Sequence, residues 1–284
     1  MRRTTAIEKD SRQIETVHDL TGVFESIAST QVAKVRTKVT LSKEFFQLLW
    51  KRYISIRLDP NSRITNREPG EDERKVFVVI SAEAGLSGDI DKRLIEKVIA
   101  DYNKDNTDIV VLGTHGATQL KQQNIYFTHY FQVPETDHYI DVTPVIAVIM
   151  PYSTIIVYYE EYVSLGVQEI RTIDLISSMR DLSESADEDT MSANDTVFEP
   201  SIDVIADEME ITMMTLALSQ TILESGLAQS ASRFNAMAVS KKRALTLLFE
   251  LGLEFHRAKR SESDRRLREV MISLKKKRSH ARAQ

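Results

Sequence analysis

Glycine and proline are concentrated in the middle of this chain. Before Pro60 there is one glycine, Gly22, and no proline, and beyond Pro200 there are only Gly226 and Gly252. The other five prolines lie between positions 60 and 151. A backbone that turns needs these residues, or the Asn, Asp and Ser that accompany them. The two ends, 1–59 and 201–284, are therefore constrained to long uninterrupted elements, and only the middle can be a compact turn-rich body.

Both ends carry helical periodicity. Ile14, Val17, Leu20, Phe24, Ile27/Ala28, Val32, Val35 and Val39 recur at steps of three and four, close to a heptad seam, and Phe45, Leu48 and Leu49 continue it. Gly22 inside this run marks a bend or a close crossing. At the other end Met209, Met213, Leu216, Leu223, Leu227, Phe234, Met237, Ala244, Leu248, Leu251, Phe255, Leu267, Val270 and Leu274 fall at steps of three, four or seven. A helix over 209–274 would be ~100 Å long at ~1.5 Å per residue. No core of a domain this size is that wide, so such a helix projects and needs a partner stripe. The N-terminal stripe supplies it, which predicts an antiparallel coiled coil of residues 14–39 against 223–255.

The middle reads differently. Residues 75–81 and 108–113 are continuous apolar runs of strand length, and 91–102 between them has helical spacing. Strand, helix, strand predicts parallel pairing with a right-handed crossover. Residues 143–149 fit a short helix, and 154–160 with 166–173 alternate like a hairpin. The expected fold class is thus α/β, with a small α/β domain inserted between the N- and C-terminal helices of a long antiparallel coiled coil. The expected divisions are 1–59 for the first helix, 60–180 for the α/β domain, 181–200 for an acidic linker, and 201–284 for the last helix with a basic tail.

Composition removes several classes of function. Lys and Arg number 37 against 42 Asp and Glu, a net charge of −5, which disfavours a uniformly basic nucleic-acid binder. Cysteine is absent, excluding disulfides, Cys-ligated metal and thiol catalysis. The longest apolar run, 145–150, is far short of the ~18 residues of a membrane span. The opening residues have no apolar stretch behind Arg2 and Arg3, so no secretory signal is expected. Charge is segregated: 181–210 holds eleven acids and no Lys or Arg, whereas 255–284 holds eleven bases and three acids.

Candidate chemistry is sparse. Gly85-Leu-Ser-Gly-Asp89 sits between a strand and a helix, where phosphates often bind, but lacks the Lys-Ser/Thr of a P-loop. Asp89 stands where a nucleophile elbow needs its last glycine. A tight turn with Ser87 or Asp89 as helix N-cap is the simpler reading. His18, His115, His129, His138, His256 and His280 show no metal-ligand spacing, although His138 and Asp141 could form a polar pair. Glu160-Glu161 and Asp108 read as solvated surface. No catalytic, cofactor-binding or metal-binding residue is expected.

Several stretches resemble the gamma subunit of F-type ATP synthases. Residues 13–19, running on to Ala33-Lys-Val-Arg36, resemble that family's opening helix. Ile80-Ser81 with Gly85-Leu-Ser-Gly88 is similar to its strand followed by G-L-C-G. Phe198-Glu-Pro-Ser201 resembles the entry to its last helix. Ala231-Ser-Arg-Phe-Asn-Ala-Met237 resembles A-x-R-M-x-A-M, and residues 256–270 resemble N-R-A-R-Q followed by E-L-x-E-I. Gly85, Gly88, Arg233 and Met237 are the motif positions that match. The sequence departs from the pattern at Leu20-Thr21, Gly22, Asp89, Lys259-Arg260 and Asp264.

This resemblance implies a central-stalk rotor subunit without catalytic residues or cofactors. It implies alpha and beta subunits around the shaft, with epsilon and the membrane c-ring at the foot. It implies a peripheral position on the cytoplasmic side of a bacterial cell membrane. It further implies contacts to beta subunits through Arg257, Lys259, Arg260 and Asp264. Two other readings stay open on the residues alone: a free-standing coiled-coil scaffold, and a nucleotide-binding α/β protein with helical dimerisation arms.

Overall fold

A computed structural model of the protein describes residues 4–56, 74–133, 140–176 and 202–281. In chain order the elements are α1 (Thr4–Ile56), β1 (Lys75–Ile80), α2 (Ile90–Asp101), β2 (Thr107–Leu112), α3 (Thr114–Gln122), β3 (His129–Phe131), α4 (Thr143–Ile149), β4 (Thr154–Tyr162), β5 (Gln168–Asp174) and α5 (Ile202–Ala281). The expected divisions at 59/60, 180/181 and 200/201, with the acidic linker, lie outside the described residues. The chain forms two compact units. One comprises residues 27–236, the other the beginning of α1 up to Ser26 with the chain from Met237 onward.

In the first unit the strands lie in the order β3-β2-β1-β4-β5. β1 is parallel to β2 and to β4, β2 is parallel to β3, and β5 returns antiparallel to β4. The predicted pairing of 75–81 with 108–113 is present, Val76 opposite Asp108 and Ile80 opposite Leu112. β1 reads as a continuous apolar run because both faces are covered. Phe77 and Val79 pack with Leu94, Val98 and Leu120 of α2 and α3. Val76, Val78 and Ile80 share a core with Val35 and Val39 of α1, Ile146 and Ile149 of α4, and Met213, Leu218 and Ile222 of α5.

The hairpin and the helix at 143–149 are where the pattern put them. The helix expected at 91–102 is α2, displaced by one residue. α3 and β3 were not foreseen: Gly113 and Gly116 flank and enter α3 like loop residues, and β3 is too short to show alternation.

From Met213 to Ser232 no residue of α5 is exposed. Met213, Met214, Leu218, Ile222, Leu223, Leu227, Ala228 and Ala231 are all buried. The stretch is enclosed on several sides, by α1 and the sheet. Within this unit Lys43 of α1 pairs with Glu224 of α5.

In the second unit the two helices run antiparallel. Thr4 Oγ1 donates to Glu262 at 3.3 Å, and Lys241 Nζ donates to Glu25 at 2.9 Å. From Thr4 to Glu25 and from Glu262 back to Lys241 the step is the same number of residues.

The seam departs from the expected stripe. Ile7, half-buried Ile14 and Thr21 recur at intervals of seven, with His18 and Glu25 half-buried between them, while Val17, Leu20 and Phe24 are exposed. A helix buries one narrow seam, and the Glu25–Lys241 pair lies within this one. In the other unit Ala28, Val32, Val35 and Val39 hold their expected places, Ile27, Phe45 and Leu48 are exposed, and Phe46 and Leu49 pack inward. On α5, Met237 and Ala244 are buried and Leu248, Leu251 and Phe255 half-buried, as expected. Leu267, Val270 and Leu274 are exposed instead, because α1 begins at Thr4 opposite Glu262 and leaves them unpaired.

Gly22 marks neither a bend nor a close crossing: it lies inside an unbroken helix and faces the end of the Lys241 side chain. A Cβ placed there would meet Lys241 Cε at 3.6 Å, an ordinary contact. Gly22→Ala should therefore raise stability, by about 0.5–1 kcal/mol, through the helix propensity of alanine. Urea denaturation checks the sign. A loss of stability would mean that the crossing is tighter than the geometry gives.

Candidate functional site

In an open parallel sheet the ligand crevice lies outside the carboxyl ends of the strands, where the strand order reverses. Here that place is between β1 and β4, past Ile80 and Glu160. It belongs wholly to the 27–236 unit.

The segment after β1 is tightly bonded. Ser81 Oγ donates to Leu112 O at 2.9 Å and accepts from Gly116 N at 2.9 Å, tying β1 to β2 and α3. Asp91 is buried at the start of α2. It accepts from Ala82 N at 2.8 Å and from Ser87 Oγ at 2.6 Å, and His115 Nδ1 lies 3.4 Å away. Ser87 therefore bonds to Asp91 rather than capping α2, and the N-cap residue Asp89 makes no side-chain cap bond. Leu86 and Gly88 are left-handed, with φ of 70° and 75°. On the other side Glu83 accepts from Thr114 N at 3.1 Å and Val133 N at 3.4 Å, and it also bonds the Thr114 hydroxyl.

The carbonyls of the glycine loop face α5. Ser232 Oγ donates to Ser87 O at 2.6 Å, and Arg233 donates to Gly85 O at 3.2 Å and Ala84 O at 3.0 Å. A Cβ at Gly88 would meet Ser232 Oγ at 3.5 Å and Ala236 Cβ at 3.6 Å. One turn and more upstream, Ser225 Oγ bonds Glu160 Oε2 at 3.2 Å and reaches Ile80 O at 3.5 Å, and Gln229 Nε2 donates to Ser225 Oγ at 3.0 Å. The place a nucleotide would take is filled by the chain's own helix.

Glu160 is the largest correction to the sequence reading. It is 0% exposed, not solvated. Burial, then the charge of Asp91, holds its carboxyl well above the usual carboxylate range, against hydrogen bonds from Gln229 and Ser225 and the charge of Arg233. Its neighbour Glu161 does lie near the surface, bonded by Arg171 at 2.6 Å. Asp108 accepts from the Tyr152 hydroxyl at 2.9 Å. The signal for the Glu160 cluster was Ser225, Gln229, Ser232 and Arg233, polar residues at steps of four, three and one on a stretch of helix that also carries Leu223, Leu227, Ala228 and Ala231.

Of the motif positions, Gly85, Gly88 and Arg233 meet in one loop-to-helix contact, while Met237 is buried in the helical pair. Arg257, Lys259, Arg260 and Asp264 are exposed on α5, with Ala258 buried between them. Lys259 Nζ lies 6.0 Å from the Phe255 ring centroid. Arg265 and Arg266 pair along the helix with Glu269 and Glu262. The polar pair of His138 and Asp141 has one member outside the described residues. A cleft of about 360 Å³ lined by Lys75, Asp101, Asn103, Asn106 and Thr107 lies at the amino ends of the strands, opposite the edge where such sheets bind ligands.

These features define a class: a mostly parallel α/β unit whose crevice is closed in cis, together with an antiparallel pair of long helices. The family model described as ATP synthase matches residues 3–273, and the chain belongs to that family. Similar proteins include the ATP synthase gamma chain of Clostridium novyi, 23% identical over 94% of this chain and 95% of that one. The ATP synthase gamma chain of Malacoplasma penetrans is 20% identical over 95% and 97%. Among solved structures, a chain of the Euglena gracilis mitochondrial ATP synthase rotor covers 90% of this chain and 98% of its own at 15% identity and a TM-score of 0.61. A chain of the same organism's OSCP/F1/c-ring assembly gives 14% identity, 95% and 94% coverage, and a TM-score of 0.65.

Proposed function

We propose that this chain is the central-stalk rotor subunit, the gamma subunit, of an F-type ATP synthase. It couples ion flow through the membrane sector to ATP synthesis or hydrolysis in a head of alpha and beta subunits, and itself makes and breaks no bonds. The observation that carries this reading is the filled crevice. An α/β unit that has given its ligand edge to α5 is a support for that helix. From Met237 the same helix is half of an antiparallel pair with the beginning of α1.

A shaft works by differential contact. Its faces differ in charge and apolarity, so each orientation favours a different conformation of the subunit beside it, and rotation moves those populations in turn. Epsilon and the c-ring are the partners proposed for the foot, and Arg257, Lys259, Arg260 and Asp264 the residues proposed to contact beta subunits. No described helix is long and apolar enough to cross a membrane, which fits a peripheral position on the cytoplasmic side of a bacterial cell membrane.

The test is reconstitution. The full chain mixed with its own organism's alpha and beta subunits should form a complex of one copy per three alpha–beta pairs, and a bead on the α/β unit should turn during ATP hydrolysis. A chain that instead bound ATP saturably by itself at micromolar levels would support the nucleotide-binding alternative. A stable homodimer that ignored alpha and beta subunits would support the scaffold.

A further inference from the structure

The Glu160 carboxyl is a buried acid that the rotor reading leaves without a task. Its Oε1 has no hydrogen-bond partner and its Oε2 has Ser225, while the nearby Gln229 amide favours the ionised form without outweighing burial. The groups around it come from several elements. Asp91 of α2 places a second carboxylate near it, and Asp91 in turn touches His115 of α3. Arg233 of α5 acts on it from a distance, with its guanidinium already bonded to the carbonyls of Gly85 and Ala84. Glu161, the next residue along β4, is held by Arg171 of β5, and Glu224, next to Ser225, by Lys43 of α1. The surrounding cations are thus placed on other partners.

The hydrogen bonds at Ser225 distinguish the two states of Glu160. The Ser225 hydroxyl has one proton to give. It lies near two acceptors, Glu160 Oε2 at 3.2 Å and Ile80 O at 3.5 Å, and already receives Gln229 Nε2 at 3.0 Å. If Glu160 is ionised, the hydroxyl must turn to the carboxylate, and the Ile80 carbonyl loses it. If Glu160 is protonated, its own O–H donates to Ser225 Oγ and Ser225 donates onward to Ile80. Only the protonated form joins β4, α5 and β1 in one chain of bonds.

We propose that Glu160 is a proton-operated latch: while protonated it clamps α5 across the carboxyl ends of β1 and β4, and loss of its proton breaks the link from Ser225 to Ile80 and loosens the segment 225–233. The proton passes to solvent and no other covalent bond changes. Because folding raises the affinity of Glu160 for its proton, the latch's contribution is complete below the ordinary carboxylate range and is lost as pH rises through the folded-state value. One proton changes the folding equilibrium by at most about tenfold per pH unit.

The experiment compares the full chain with Glu160→Gln, whose amide N–H can donate to Ser225 as the protonated acid does but cannot ionise. His115 and Asp91 are present in both proteins. The expected result is that the unfolding constant of the wild type, divided by that of the variant, rises with pH by up to about tenfold per unit from pH 5 upward and then levels. Amide hydrogen exchange over 225–233, taken relative to the variant at each pH, should quicken over the same range. Parallel stability profiles from pH 5 to 9 would overturn the proposal. If the variant does not fold, the infrared carbonyl band of a protonated carboxyl decides it in the wild type. That band should be present at pH 5, where an ordinary carboxyl is already largely ionised, and vanish as exchange over 225–233 quickens, whereas its absence at pH 5 overturns the latch.

Discussion

Replacing Gly113 by alanine will destabilise the α/β unit by about 3–5 kcal/mol, near the top of the range for single substitutions. Gly113 follows the last residue of β2 and stands at the N-cap of α3 with φ of 102°. That backbone region already strains any residue with a Cβ. The added carbon would also overlap the Ser81 carbonyl oxygen, which is main chain and cannot rotate away, and would lie 2.6 Å from Ser81 Oγ. Relief would mean separating β1 from β2 where Ser81 N donates to Leu112 O at 2.9 Å. Urea denaturation of the full chain, followed by circular dichroism, measures the loss. A change below about 1 kcal/mol, the ordinary effect of a point mutation, would show that the strand ends yield more readily than their bonds suggest.

The second large effect is expected in the assembled complex. Reversing Lys259 and Arg260 to glutamate should lower coupled ATP turnover about tenfold or more at low salt. Both side chains are exposed, with no ion pair of their own among the described residues, whereas Arg265 and Arg266 are neutralised along the helix by Glu269 and Glu262. A charge-assisted hydrogen bond contributes ~1.5–3 kcal/mol, and reversal replaces attraction by repulsion. The defect should shrink as salt rises, since the screening length falls from ~10 Å at 0.1 M to ~3 Å at 1 M. Unchanged turnover at every ionic strength would remove these two residues from the proposed contact with beta subunits and leave the rotor reading standing.

What could be read from the sequence divides along physical lines. The parallel strands were legible because both faces of β1 and β2 are covered, so Val76-Phe-Val-Val-Ile80 and Ile109-Val-Val-Leu112 appear as unbroken apolar runs. The antiparallel helices were legible from breaker poverty and seven-residue recurrence. The exact seam was not, since Leu20, Phe24 and Thr21 lie on adjacent lines of one helix and apolarity alone selects the wrong one. Thr21 wins because the line through Ile7, Ile14 and Ala28 passes through it. The end of the seam at Glu262 was equally hidden, because the stripe continues through Leu267 and Leu274 in sequence although the opposing helix begins at Thr4. Glu160 was misjudged for a related reason: a carboxylate pair on a strand is normally solvated, and only the polar residues of a distant helix could have marked its burial.

The closed crevice has a further consequence, for the order in which the molecule comes apart. α5 behaves as a ligand covalently attached to its receptor: Ser225, Gln229, Ser232 and Arg233 are its recognition groups, and the carboxyl edge of the sheet is the binding surface. A tethered ligand rebinds at an effective concentration set by its linker, reaching millimolar for short flexible connections. Competing molecules in solution therefore face an occupant that dissociation cannot remove from the vicinity. The same tether makes occupancy and helix integrity one equilibrium. Anything that frays α5 near Ser225 vacates the site, and anything that fills the site from outside must first displace a structural member.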